Sequence, residues 1–196
     1  MALAVASHPI ELVINATAGL AKAAKVFNVP TIVTTVDERS FSGPLFRSIR
    51  EAFPDERDYI DRTTMNPWED PRITAQVNAY GRTKLVFAGL WTEVCIALPV
   101  IAAMEAGYQC YIVTDACGGV SREAHERAVQ RMLQAGAAPL TWMQYLLELQ
   151  RDWARTDTAA KVGAIAKEHG GAYGRGIEYL YQMQRWAKDA PPETQP

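Results

Sequence analysis

The amino-acid sequence predicts an α/β fold, a parallel β-sheet flanked by helices on both faces, with extra helices at its C-terminal end. Three observations carry this. Runs rich in β-branched and apolar residues (30–36, 84–90 and 109–115) lack the period-two alternation of a half-exposed sheet, as expected of strands covered on both faces. Between them lie segments whose apolar residues recur every three or four positions, the period of a helical face. Strand and helix alternate along the chain, the order of β-α-β crossovers.

The elements follow in order. Residues 9–27 place Leu12, Ala16, Leu20 and Ala23 at helical spacing, and Asn28 stops them. Pro30 opens the first strand, 30–36. Residues 37–43 read as a loop, 44–54 as a short helix ended by Pro54, and 58–61 as a brief strand. The stretch 62–71 carries two prolines and reads as irregular, and 73–81 is a helix closing on Gly81. KLVFAGL (84–90) is the clearest strand. A helix over 92–107 follows it directly, with Thr92 as N-cap and Gly107 just past its end. QCYIVTD (109–115) is the next buried strand, then the turn ACGG, a helix over 121–136 between Ser121 and Gly136, and a short strand at 138–141. Trp142, Tyr145, Leu146, Leu149 and Trp153 form an aromatic-rich helical stripe, and 156–169 and 173–187 are two further helices around GGAYGRG. Residues 1–155 thus form the main domain and 156–188 a helical extension, with 189–196 a disordered tail. The extension has little of its own to bury against, so it is expected to dock on another subunit, making the protein a homo-oligomer.

Composition narrows the function classes. Hydrophobic residues make up 48 % and charged residues 21 % of 196, an ordinary globular balance. Twenty Lys+Arg against 22 Asp+Glu leave a formal charge of −2, so no electrostatic footprint for nucleic acid is expected. The most apolar stretch, 94–104, is fenced by Glu93 and Glu105 and contains Pro99, and the N-terminus lacks a cationic leader, so neither a membrane span nor a signal peptide is expected. Three cysteines do not make a disulfide framework, which fits a reducing, cytoplasmic setting. His8, His125 and His169 lack metal-ligand spacing, and Val129 stands where HExxH needs its second histidine, so no metal is expected. GGAYGRG does not follow a strand and is a poor dinucleotide loop, so no cofactor is expected.

In a parallel α/β sheet, ligands bind beyond the C-terminal ends of the strands. That selects 36–43, 62–68, 90–95 and 115–120, and Cys95 stands out. Three residues after Thr92, it falls in the first turn of the predicted helix, where unpaired N–H groups and the positive dipole end favour a thiolate. Position alone leaves two readings open, a nucleophile or a buried packing residue, since free cysteine is among the most buried residue types. Cys110 alternates into a strand and reads as core, and Cys117 lacks a helix start. Phe41, Asn66, Trp68, Trp91 and Thr92 are the candidate lining of a pocket for a small-molecule substrate.

The stretch AGLWTEVCIALPVIAAMEAGYQCYIVTDACGG (88–119) resembles the nucleophile region of the isochorismatase-like cysteine hydrolases. RTTMNPWED (62–70), AHERAVQRMLQAGA (124–137), QRDWAR (150–155) and HGGAYGRGIEYLY (169–181) resemble the subgroup that includes octameric hydrolases of unassigned substrate. The resemblance implies a Rossmann-like, isochorismatase-like fold and a cofactor-free reaction. The thiolate of Cys95 attacks a carbonyl carbon, often of an amide, and the acyl-thioester is then hydrolysed. It implies an oxyanion hole from the backbone N–H groups of Trp91 and Cys95, with a non-proline cis peptide at Leu90–Trp91. The family's supporting lysine falls within 61–68, where this sequence offers Arg62, with Asp61 beside it. Arg62 keeps the charge and holds a carboxylate bidentately, but does not readily donate a proton. The family's aspartate lies at the end of a first strand, and MALAVASHPI matches the residues that follow that strand. Asp37 and Asp115 are the acidic residues at the strand ends that remain. The expectation is a cysteine hydrolase of a small amide or related carbonyl compound. The alternative is a catalytically silent oligomeric scaffold on the same fold.

Overall fold

A computed structural model describes residues 2–54 and 59–189. Its strands form two parallel sheets. β1 (Thr34–Val36) pairs with β2 (Ile60–Arg62), Val36 lying opposite Arg62. β3 (Lys84–Leu90), β4 (Gln109–Gly118) and β5 (Ala138–Leu140) make the second sheet in that order. The helices are α1 (Ile10–Val26), α2 (Arg47–Ala52), α3 (Pro71–Tyr80), α4 (Ala97–Glu105), α5 (Arg122–Gln134), α6 (Trp142–Gln150), α7 (Thr156–His169) and α8 (Ala172–Asp189).

β4 is the spine. Val113 and Ala116 pack with Ala16 and Ala23 of α1, Trp142, Tyr145 and Leu146 of α6, and Val162 and Ile165 of α7. Cys110, Ile112 and Cys117 point the other way, onto Ala97, Val100 and Ala103 of α4 and Ala128 and Met132 of α5. The register shift between Phe87 and Gly89 bulges β4 between Ile112 and Cys117 and breaks the simple alternation of strand side chains, so Val113 and Ala116 share one face, and both faces are covered. That is why the strand reads as continuously apolar.

Helix boundaries written in local chemistry lie where the sequence puts them. The Ser121 hydroxyl accepts the Ala124 N–H at 3.0 Å to start α5, and Gly136 follows its end at φ +106°. Other boundaries differ. The first strand shrinks from 30–36 to 34–36, and 37–43 contains a wide helical turn, Glu38–Ser42, entered through Asp37 at φ +46°. β4 continues through Gly118, its register with β3 shifting between Phe87 and Gly89, so Asp115 lies inside the strand rather than at its end. The aromatic stripe ends as helix at Gln150, which leaves Trp153 outside it. The expected tail begins at Asp189, which still belongs to α8, and 190–196 lie outside the described residues.

Among the described residues no hydrogen-bonded ladder joins β1 to β3. A cavity of about 1320 Å³ lies between them, walled by 31–36 on one side and 84–90 on the other. α1 begins at the end of the sheet where β4 finishes, since the N–H groups of Ala6 and Ser7 both donate to the Gly119 carbonyl at 3.0 and 3.2 Å.

Candidate active site

The expected nucleophile sits where β3 hands over to α4. Leu90 ends the strand, the Leu90–Trp91 peptide is cis, and Thr92–Ile96 forms a wide π-type turn before regular α-helix starts at Ala97. The Trp91 carbonyl accepts N–H bonds from Val94 at 3.1 Å and Ile96 at 3.3 Å. Gly89 enters at φ +136°, a conformation suited to glycine, and the Ile96 side chain packs over it. Cys95 is half-buried in this turn and is a free thiol.

Thr92 is not the N-cap that its position suggests. Trp91 takes the cap position without a side-chain bond, while the buried Thr92 hydroxyl lies 2.9 Å from His125 Nδ1 on α5. A widened turn displaces the capping geometry, so the hydroxyl is free to bond across to another element.

Arg62, at the end of β2, forms the opposite wall. It is only 5 % exposed. Its Nη1 donates to the carbonyls of Thr64 and, at 3.3 Å, Met65, while its Nε is buried without a hydrogen-bond partner. Among the described residues this buried cation is hydrogen-bonded only to carbonyl oxygens, with the Asp70 carboxylate near enough to feel its charge, and such a cation favours an anion beside it. Asp61 is engaged elsewhere: its carboxylate accepts from the Thr35 hydroxyl at 2.8 Å and the Glu38 N–H at 3.1 Å, closing the end of the β1–β2 pair. Asp70 accepts from Arg72, which holds its carboxyl below the usual range, with Arg62 adding to the same effect.

Phe41, Arg62, Trp68, Trp91 and Cys95 all line the one cavity. Phe41 meets the Trp91 ring edge-on, 6.5 Å between centroids, and Trp68 meets Tyr108 in the same manner at 5.4 Å. Asn66 and Thr92 are directed to other tasks. Asn66 Oδ1 accepts the Trp68 N–H at 3.0 Å and so starts the short turn Pro67–Glu69.

The remaining cysteines differ sharply from Cys95. Burial pushes the Cys110 thiol up to about 11. It pushes that of the fully enclosed Cys117 up to about 12, with nearby Asp115 raising it further. Both stay protonated at neutral pH. Asp115 accepts the Trp142 N–H at 2.9 Å, starting α6, and burial raises its carboxyl. Asp37 accepts from the Ser40 hydroxyl in its own turn. Among the described residues no group of three or more His, Cys, Asp or Glu is arranged to hold a metal ion, and no helix is long and apolar enough to cross a membrane. Sequence reasoning missed His125. The bond to Thr92 spans 33 positions and arises only because the β4–α5 turn folds over the β3–α4 turn.

Comparison with known proteins gives the family. Residues 2–144 match the family model of the isochorismatase domain. The chain is 40 % identical over 140 residues to the "Probable hydrolase YcaC" of Escherichia coli K12, covering 71 % of this chain and 67 % of that protein. Two crystallised relatives superpose with a TM-score of 0.84 at 35 % identity. One is YcaC from Pseudomonas aeruginosa with hexane-2,5-diol and covalent acrylamide, with 91 % of this chain and 87 % of that one covered. The other is the Escherichia coli YcaC gene product, an octameric hydrolase of unknown specificity, with 92 % and 87 % covered. The chain belongs to the isochorismatase family.

Proposed function

We propose that this protein is a cysteine hydrolase that opens a small amide, or a related carbonyl compound, through a thioester on Cys95. One observation carries the reading: Cys95 reaches the cavity from the turn at the end of β3, while Cys110 and Cys117 are sealed in the core with thiols held near 11 and 12. The Cys95 thiolate adds to the carbonyl carbon, forming the C–S bond and moving the π electrons to oxygen. The N–H groups of Trp91 and Cys95 receive that oxyanion, an interaction typically worth about 3–4 kcal/mol per donor in the transition state. Collapse expels the amine as it takes up a proton. Water then adds to the thioester carbon and releases the carboxylic acid and the thiol. Arg62 supplies positive charge at the opposite wall, and Phe41 and Trp68 supply apolar lining, with Asn66 and Thr92 shaping the turns beside it. The covalent acrylamide of the Pseudomonas relative supports the presence of a reactive nucleophile in that protein, since acrylamide is trapped by addition at its alkene carbon. The free thiols fit a reducing, cytoplasmic setting.

The space between β1 and β3 bears on the proton chemistry. It is bordered by β1 and β3, and the Phe41 and Trp91 rings meet just past the C-terminal ends of these strands, which makes it the place to add a further parallel strand that carries a carboxylate. The test compares this chain with a variant that carries an added N-terminal apolar strand ending in aspartate. A panel of small amides is assayed for ammonia or amine release, with Cys95→Ser as control. Turnover that appears or rises at least about tenfold with the extension, and vanishes with Cys95→Ser, supports the hydrolase. Inertness in both forms favours a silent scaffold, a reading supported by the absence, among the described residues, of a carboxylate hydrogen-bonded to Arg62.

A further inference from the structure

Behind the turn that carries Cys95 lies a buried polar cluster that the hydrolytic scheme does not use. The N-terminal segment is stitched to the β4–α5 turn: besides the two bonds to the Gly119 carbonyl, the Gly119 N–H donates to the Ser7 hydroxyl at 2.9 Å. Ser7 Oγ lies 2.9 Å from His8 Nδ1, and the His8 ring stands edge-on to His125 with centroids 4.7 Å apart. His125, buried in the first turn of α5, reaches Thr92 Oγ1 at 2.9 Å. Glu93 makes the second link, its Oε1 accepting the Val120 N–H at 2.9 Å while its Oε2 is buried with no hydrogen-bond partner. Gly119 permits this approach, since a Cβ there would lie 2.7 Å from Glu93 Oε2 and 3.1 Å from His125 Cβ. Residue 92 is thus fastened to α5 and residue 93 to the turn before it, both between Trp91 and Cys95.

We propose that His125 is a positioning residue for the nucleophile, holding Thr92, and through it the orientation of Trp91 and Cys95, by the hydrogen bond between its Nδ1 and the threonine hydroxyl. This rests on Cys95 being the nucleophile. The neutral imidazole is the working form, because it accepts from or donates to Thr92 without placing a charge in the cluster. Burial first, and then His8, lower the affinity of His125 for a proton, against a smaller pull from Glu93 and Glu126. Protonation would set a cation against His8 and beside the unpartnered oxygen of Glu93, drawing the ring from Thr92. Asp115 senses the charge on His8 from the sheet side.

The test is the alkylation rate of Cys95 by iodoacetamide, read by peptide mass spectrometry on the folded full chain from about pH 5 to 9. Thr92→Val and His125→Leu are expected to slow Cys95 by about tenfold or more across this range, because a thiol turned away from the cavity is less open to the reagent. His125→Asn keeps a hydrogen-bonding atom near the Nδ1 position without titrating. It is expected to stay within about threefold of wild type, and to lose the extra inflexion that wild type shows below its ordinary imidazole range near pH 6.5. The proposal is overturned if Thr92→Val, retaining the wild-type near-UV circular dichroism, reacts within about twofold of wild type, or if His125→Asn loses as much as His125→Leu. Should His125→Leu fail to fold, Thr92→Val and His125→Asn carry the test. These ratios are read whatever the absolute rate. A wild-type Cys95 slower than free cysteine counts against the hydrolase reading alone.

Discussion

Gly19 shows how one missing side chain sets the distance between two helices. A Cβ built on it falls 2.6 Å from both Cε3 and Cζ3 of Trp142, the buried residue that opens α6. Two effects oppose each other in Gly19→Ala. Helix propensity favours alanine by about 1 kcal/mol in an α-helix interior. Overpacking a fitted core typically costs about 1–3 kcal/mol, and an indole ring cannot bend aside as a flexible chain end does. The clash wins, so urea unfolding of Gly19→Ala is expected to show a net loss of up to about 2 kcal/mol with an unchanged m-value. An equal or higher midpoint would mean that the two helices separate freely. At this scale the sequence is uneven as a guide. Cys95 is legible because its signal is local, a cysteine just past a strand at a helix start. Arg62 is legible as a charge, but that its guanidinium meets only the Thr64 and Met65 carbonyls is a property of the fold. Thr92 is misread for a reason of the same kind: a threonine before a helix is a good cap in isolation, and a ring 33 residues away takes its hydroxyl.

Helix α7 is tied to α1 by the Lys22–Glu168 ion pair at 2.7 Å and by a clasp on His169, a group able to titrate. Asn15 Nδ2 donates to the His169 carbonyl at 2.8 Å, and its Oδ1 lies 2.9 Å from His169 Nδ1. Burial, then the nearby Lys22, hold the His169 proton affinity below the ordinary histidine range, and Glu168 offsets this in part. A histidine with a depressed folded-state pKa adds stability that is fully present above its unfolded value of about 6.5 and is lost as pH falls toward the folded value. His125 has the same sign. Urea midpoints are therefore expected to fall between about pH 7.5 and 5.5, and His169→Gln to flatten that fall to the part left by His125. A slope unchanged by His169→Gln would place the proton uptake elsewhere. Elements divide by legibility according to where their ends are decided. α5 begins and ends on its own residues, Ser121 and Gly136, and was readable to within about two residues. β1 was not, because a β-branched run becomes strand only where a neighbour pairs with it, and 30–33 face the cavity instead.

For the molecule as a whole, the unanswered surface is α8. This helix packs on α7, and a cation–π contact from Lys167 to Tyr181 and the Lys167–Glu178 ion pair at 3.5 Å fasten its inner side. Its outer side carries Tyr179, Met183 and Trp186, one helical face by their spacing of four and three, with Leu180 beside them. Tyr179, Leu180 and Trp186 are 64, 55 and 69 % exposed in the single chain. Single exposed apolar side chains are ordinary, but a contiguous aromatic row on a terminal helix is what an interface looks like before its partner is added. We propose that residues 156–188 assemble subunits of this chain, on the strength of that exposed row. Because each subunit of a closed ring or dihedral assembly presents the same patch, one substitution acts at every copy of the contact. Trp186→Glu introduces a charge that assembly would have to bury, so sedimentation velocity is expected to shift from a multimer to a much smaller species. A conservative Trp186→Phe should sediment as wild type does. Wild-type protein that sediments as a monomer at micromolar concentration would leave α8 without this role, and equal sedimentation of wild type and Trp186→Glu as multimers would move the interface off this face.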